Sequence, residues 1–168
     1  FGEHMQPAAV SDTIYLVCSV FSYRYDVKNN IWTERKPLDL EQTYTRMGTS
    51  LGKMAYLISS NNSLWQYDTS LENLTKISVY PGIIKTINIS AGCGNKLFFG
   101  YSQEQAGKAE FILWCYDTIS RVWFKADKFP VLLEDDYRDM FAFPFGEKLY
   151  IGILSFGQYR IWEYDPSK

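Results

Sequence analysis

The sequence predicts an all-β protein of consecutive four-stranded antiparallel sheets, the blades of a β-propeller. Three observations predict it. The dipeptide Tyr-Asp recurs at Tyr25-Asp26, Tyr67-Asp68, Tyr116-Asp117 and Tyr164-Asp165, at intervals of 42, 49 and 48 residues, which is the period of a propeller blade. A second pattern runs out of phase with the first. The runs Gly94 to Gly100 (GNKLFFG) and Gly146 to Gly152 (GEKLYIG) match closely, Gly52 to Ile58 is a weaker copy and Ser11 to Val17 a degraded one. Aromatic residues make up 17% of the 168 residues, and such side chains suit strands and the packing between sheets.

Each repeat resolves into four strands. Strand A is the run before the Gly or Asp turn: Pro7 to Val10, Met47 to Leu51, Thr86 to Ala91 and Met140 to Phe145. Strand B follows the turn as a short apolar run, the pattern of a strand buried on both faces. Strand C carries Tyr-Asp, with Tyr23, Trp65, Trp114 or Trp162 two positions earlier and therefore on the same face as the Tyr. Its Asp can cap the following turn by accepting backbone N–H groups two or three residues on. Strand D begins near Trp32, Leu74 or Trp123, six residues after the Asp of the first three copies. The run from Leu38 to Thr45 could form a turn of helix, but it lies where a D-to-A connection belongs. Pro37, Pro81-Gly82 and Pro130 mark blade boundaries. The expected blades are residues 7–37, 43–80, 84–130 and 137–168, with residues 1–6 a tail or strand remnant.

Aromatic-x-Tyr-Asp followed six residues later by Trp, with a Gly-x-Lys-Leu-Tyr strand start, resembles the kelch-type propeller repeat. The stretches Leu64 to Asp68, Ile161 to Pro166 and Trp123 to Pro130 are particularly similar to the kelch-like propellers of bacterial cell-surface proteins, grouped with the central domain of galactose oxidase. The resemblance covers about residues 7 to 168. It departs at the end of strand B, where the family's double glycine is replaced by Ile58-Ser59, Gly100-Tyr101 and Gly152-Ile153. The resemblance implies a ring of six or seven blades. About four are present here, and the fourth stops after its strand C. The chain is therefore expected to be part of a larger ring, completed by the remaining blades of the same parent protein or by a second chain.

Composition excludes several function classes. A net charge of −2 with scattered basic residues gives no electrostatic reason to expect nucleic acid. No stretch reaches the roughly 18 to 20 apolar residues that cross a bilayer, so no membrane insertion is expected. The single histidine, His4, leaves no base for Ser-His-Asp or Cys-His chemistry and no set of zinc or copper ligands. No catalytic residue, metal or cofactor is expected. Cys18, Cys93 and Cys115 lack metal-ligand spacing, and being odd in number leave at least one thiol free or bonded elsewhere. Cys115, inside an apolar strand, reads as a small buried hydrophobe. The acidic cluster Glu134, Asp135, Asp136 and Asp139 fits no calcium-loop spacing and reads as a solvated loop.

In kelch-like propellers the D-to-A and B-to-C loops emerge on one face and bind ligand. The resemblance thus implies ligand-binding residues at Tyr44, Arg46, Tyr137 and Arg138 in D-to-A loops. It implies others at Tyr101, Gln103, Tyr159 and Arg160 in B-to-C loops, which also hold Glu104 and Phe156. Tyr and Arg are enriched at interface hot spots, and Arg can grip a carboxylate with two parallel hydrogen bonds. The expected function is a non-catalytic protein- or glycan-binding module, in an extracytoplasmic or cell-surface setting. Its alternatives are the substrate-recruiting kelch domain of a cytoplasmic ubiquitin-ligase adaptor and a sugar epimerase or lyase built on a kelch ring.

Overall fold

The computed structural model describes residues 6–10, 12–17, 22–36, 38–41, 44–84, 87–105, 108–126, 132–133, 137–155 and 158–167. Among them lie sixteen strands and no α-helix, in four antiparallel sheets that follow one another as the blades of a propeller. Blade 1 is β1 (Gln6–Val10), β2 (Thr13–Val17), β3 (Ser22–Asp26) and β4 (Ile31–Arg35). Blade 2 is β5 (Thr45–Leu51), β6 (Met54–Ser59), β7 (Ser63–Asp68) and β8 (Asn73–Val79). Blade 3 is β9 (Ile87–Cys93), β10 (Lys96–Gln105), β11 (Lys108–Asp117) and β12 (Val122–Lys125), with a short extra strand, β13 (Leu132–Leu133), paired to β11. Blade 4 has three strands, β14 (Tyr137–Phe145), β15 (Lys148–Ser155) and β16 (Gln158–Tyr164).

The two sequence patterns are the two turns at one end of each blade. Gly52, Gly94 and Gly146 take φ near +60° as the first residue of two-residue hairpins joining strands A and B. Only glycine enters that region without cost, which fixes its place in the repeat. Between C and D, Asp26 accepts from the amide of Asn29, Asp68 from Ser70 and Leu71, and Asp117 from Ile119 and Ser120. These bonds hold each carboxyl below the usual aspartate range: the Asn29 amide leads for Asp26, the Ser70 hydroxyl for Asp68 and the Ser120 amide for Asp117. The four-residue loop then ends at Asn30, Glu72 or Arg121, each with positive φ. The residue after the Asp ties this loop to the A–B turn beside it. Val27 N–H donates to the carbonyl of Asp12 (3.1 Å), Thr69 Oγ1 to Lys53 (3.0 Å) and Thr118 Oγ1 to Asn95 (2.7 Å).

The spacing of six from Asp to Trp is the consequence of this loop. It seats Tyr25 directly opposite Trp32, Tyr67 opposite Leu74 and Tyr116 opposite Trp123 across the C–D pair. Tyr25 and Trp32 stack at 4.6 Å, and Tyr116 and Trp123 meet at 4.9 Å. Gly100 and Gly152, which stand where strand B would begin the missing double glycine, lie beneath rings. A Cβ on Gly152 would overlap Phe141, and one on Gly100 would overlap Phe111.

The chain divides into two compact units, residues 1–85 and 86–168, each of two blades. The first is built on Val10, Tyr15, Leu40, Ala55, Leu57, Trp65 and Tyr67, with Tyr15 of blade 1 meeting Tyr67 of blade 2 edge to face at 6.0 Å. The second is built on Ile89, Ala91, Phe98, Leu113, Cys115, Leu149, Ile151 and their neighbours, with Phe98 of blade 3 meeting Tyr164 of blade 4 edge to face at 5.7 Å. The same two repeat positions therefore make both contacts. Cys93 and Cys115 are free and buried, Cys115 as expected of a small core residue; Cys18 lies outside the described residues. Of residues 1–6, expected as a tail or strand remnant, Gln6 belongs to β1 and pairs with Val17.

Candidate functional site

The edge where strand A begins, strand B ends and strand C begins is where ligand residues were expected. In blade 2 the chain enters this edge at Tyr44, whose carbonyl accepts from the Ser60 amide (2.8 Å). Arg46 then bulges out of the ladder: Thr45 pairs with Ser59 and Met47 with Ile58, so Arg46 has no opposite residue. The bulge turns its guanidinium back over the exposed Tyr44 ring, 5.6 Å from the centroid. Beneath this shelf Ser59 Oγ accepts from Trp65 Nε1 (3.0 Å) and donates to Asn61 Oδ1 (2.7 Å). Tyr44 and Arg46 are thus brought together, the tyrosine exposed and the arginine half-buried.

Blade 3 repeats the bulge at the same distance from its A–B turn, with Asn88 in place of Arg46. Asn88 Oδ1 accepts from the amide of Ser102 at 3.0 Å, so its side chain seals the bulge. Blade 4 bulges two residues farther along, at Arg138, the second residue of β14 after Tyr137. The side chains of Tyr137 and Arg138 lie outside the described residues, as do Glu134, Asp135, Asp136 and Phe156 and the side chain of Glu104. The carboxylate, Arg and Tyr convergence that an epimerase or lyase needs therefore falls on residues that are not described.

The four residues expected in B-to-C loops stand in strands, as do Arg46, Tyr137 and Arg138. Tyr101 and Gln103 belong to β10, which runs on to Gln105 in a ten-residue hairpin with β11. Tyr101 is buried between Ile87 and Ile112, and Gln103 Nε2 bonds Glu110 (3.5 Å). Tyr159 and Arg160 belong to β16 and are exposed on opposite faces, with Tyr159 against Phe141 at 5.8 Å. Asn88 was missed; its signal was a polar residue within the apolar run Ile87 to Ile89.

A second feature of the first unit is a cleft of about 460 Å³ between β4 and blade 2, lined by Arg35, Lys36, Asp39, Tyr67, Glu72 and Leu74 among others. Arg35 is ion-paired with Glu72 there, and burial pushes the Tyr67 hydroxyl up. The Arg35–Glu72 pair spans its walls, which makes it a seam between blades. Among the described residues no group of three or more His, Cys, Asp and Glu converges, and no helix is long and apolar enough to cross a membrane.

No protein-family model matches the chain, and no curated protein matches its sequence. Solved structures do. The computationally designed Ika4 protein is 8% identical, with a TM-score of 0.55 over 96% of this chain and 92% of that one. YjhT is 12% identical, with a TM-score of 0.58 over 85% of this chain and 47% of its own. Apo AztD from Citrobacter koseri is 15% identical, with a TM-score of 0.58 over 97% of this chain and 47% of its own. The chain thus spans about half the length of YjhT and AztD. At these identities the likeness is one of fold: the chain is similar to propeller-like proteins.

Proposed function

We propose that the protein is a non-catalytic binding module that recognises a protein or glycan ligand at the edge where strands A begin. One observation carries this reading. Blades 2, 3 and 4 each break the A–B ladder near this edge with a one-residue bulge, at Arg46, Asn88 and Arg138. Bulges re-aim side chains and concentrate next to functional sites. In blade 2 the result is an exposed Tyr ring with a guanidinium beside it, a flat stacking surface joined to a carboxylate grip. The kelch resemblance supports the same edge.

Glycan and acidic-peptide arrays probed with the whole chain test this. A hit whose affinity falls about tenfold or more in Tyr44→Ala and Arg46→Ala, a loss of roughly 1.4 kcal/mol or more, supports the reading. Arrays silent at high protein concentration, or a hit indifferent to both substitutions, overturn it.

A further inference from the structure

The blade 2 edge at Tyr44 holds a cation without a counter-charge. Arg46 is half-buried, and among the described residues its guanidinium makes no hydrogen bond or ion pair; its contact is the Tyr44 ring. Taking a charge part of the way out of water costs free energy unless acceptors or an opposite charge meet it. The segments that form this edge, residues 44–47, 58–64 and 80–84, contain no Asp or Glu. The nearest carboxylate along the chain, Glu41, is paired with Lys76 at 3.2 Å.

The turn beside it, Ser59 to Ser63, has its acceptors occupied and its donors open. Ser60 joins this turn to Tyr44, donating its amide to the Tyr44 carbonyl (2.8 Å). Asn61 Oδ1 accepts from Ser59 Oγ (2.7 Å) and from the Ser63 amide (3.1 Å). Those bonds orient the Asn61 amide and leave its Nδ2 hydrogens without a partner among the described residues, on an exposed side chain. Asn62 does the reverse, donating Nδ2 to the carbonyls of Tyr80 and Gly82 (both 3.3 Å). Ser60 Oγ accepts from the Tyr44 amide at 3.5 Å, and its own proton has no partner there. The open groups are therefore all donors: the Arg46 guanidinium, the Asn61 amide and the Ser60 hydroxyl, next to a Tyr ring that is 45% exposed. Blade 3 differs, because Asn88 closes its bulge on the Ser102 amide.

A donor set of this kind selects for acceptors. A peptide brings backbone N–H groups as well as carbonyls. The side-chain oxygens of this turn that could accept from them, Asn61 Oδ1 and Ser59 Oγ, are already engaged. Sugar hydroxyls rotate to accept, and an acidic sugar adds the anion that Arg46 lacks. We infer that the ligand is a carboxylated sugar: the pyranose ring of a uronic acid residue lies on Tyr44, its carboxylate meets Arg46, and its hydroxyls accept from Asn61 and Ser60. This rests on the binding-module reading above and narrows it from protein or glycan to one class. Asn61 becomes a further binding residue.

Isothermal titration calorimetry of the whole chain tests this with oligomers of galacturonate, glucuronate and mannuronate, each beside its carboxyl-reduced neutral form, and with poly-glutamate. At least one uronate oligomer is expected to bind, and its neutral form to bind about tenfold more weakly or worse. Asn61→Asp keeps the oxygen that accepts from Ser59 and Ser63 but puts a negative charge in place of the open donor. It is expected to melt as the wild type does and to lose about tenfold or more in affinity for the uronate. A neutral form bound as tightly as its acid, poly-glutamate bound in place of the saccharides, or wild-type affinity in Asn61→Asp overturns the inference. Binding to none of the uronates overturns it too. The comparison of acid with neutral form needs no variant, so it decides the ligand class even if Asn61→Asp melts early. Where a neutral glycan or a peptide binds and still weakens in Tyr44→Ala and Arg46→Ala, the binding-module reading stands and the uronate alone falls.

Discussion

The aspartate of each Tyr-Asp pair organises more structure than the Tyr beside it shows on inspection. Asp26, Asp68 and Asp117 are solvent-facing, yet each is tied to amides of its own turn and its pKa is lowered. The folded state then binds fewer protons at these positions than the unfolded chain, where an aspartate titrates near 3.9. Their contribution is complete above that value and disappears as pH falls through the lower folded values. The urea midpoint should be flat from neutrality to about pH 5 and decline below 4. Replacing all three by Asn, whose Oδ1 still accepts, should lower the neutral midpoint and flatten the acid decline. An unchanged acid slope in that variant would remove these turns as its cause. Gly152 is constrained by packing instead. With Phe141 lying over it, Gly152→Ala should destabilise by about 1–3 kcal/mol, the range for overpacking. Adding Phe141→Ala should recover part of that loss in a chemical melt, and a purely additive pair would contradict the overlap.

At the scale of the element, the repeated aromatic junction is what joins one blade to the next within a unit. Tyr15 and Tyr67 are both buried and in contact, so a double-mutant cycle with Phe should isolate hydroxyl effects and one with Ala the ring pair. The Ala cycle is expected to give a coupling of about 0.5–1.5 kcal/mol. Coupling near zero would mean that the two rings are merely neighbours. The shared face of the strand C aromatics was legible in the sequence, because a tight turn and a fixed loop set the register, and register sets which face every side chain takes; their partners on strand B, Tyr15 and Phe98, were not. The bulges were not, because an extra residue shows only when the partner strand is known: Arg46 and Met47 look alike until Ile58 is seen opposite Met47. The end of β10 was misread for a related reason. Ser102 to Gln105 is polar and reads as a loop, but it pairs residue for residue with Lys108 to Phe111, and β13 adds a further strand beside it.

For the whole molecule, the period along the sequence predicted the blades because each blade repeats the same local chemistry. It could not predict the grouping into two units, which depends on packing between sheets. The candidate site was less legible than the fold: at the expected edge Tyr44 and Arg46 stand together, whereas Tyr101 lies in the core and Gln103 bonds within its own hairpin. The second unit carries its own reporters of integrity. Cys93 and Cys115 are 2% and 0% exposed, in one cluster with Leu149, and burial pushes the Cys115 thiol up to about 12. A thiol reagent attacks the thiolate, so both residues should react only when the unit opens. Because the folded thiol holds its proton where the unfolded one, near 8.5, releases it, Cys115 contributes stability below that value which is lost as pH rises towards 12. Labelling at neutral pH, followed by peptide mapping, should find both sites protected relative to denatured protein. Leu149→Ala, which empties a fully buried position at a cost of about 2–5 kcal/mol, should accelerate labelling of both together. Acceleration of one without the other would show that the cluster does not open as a single core.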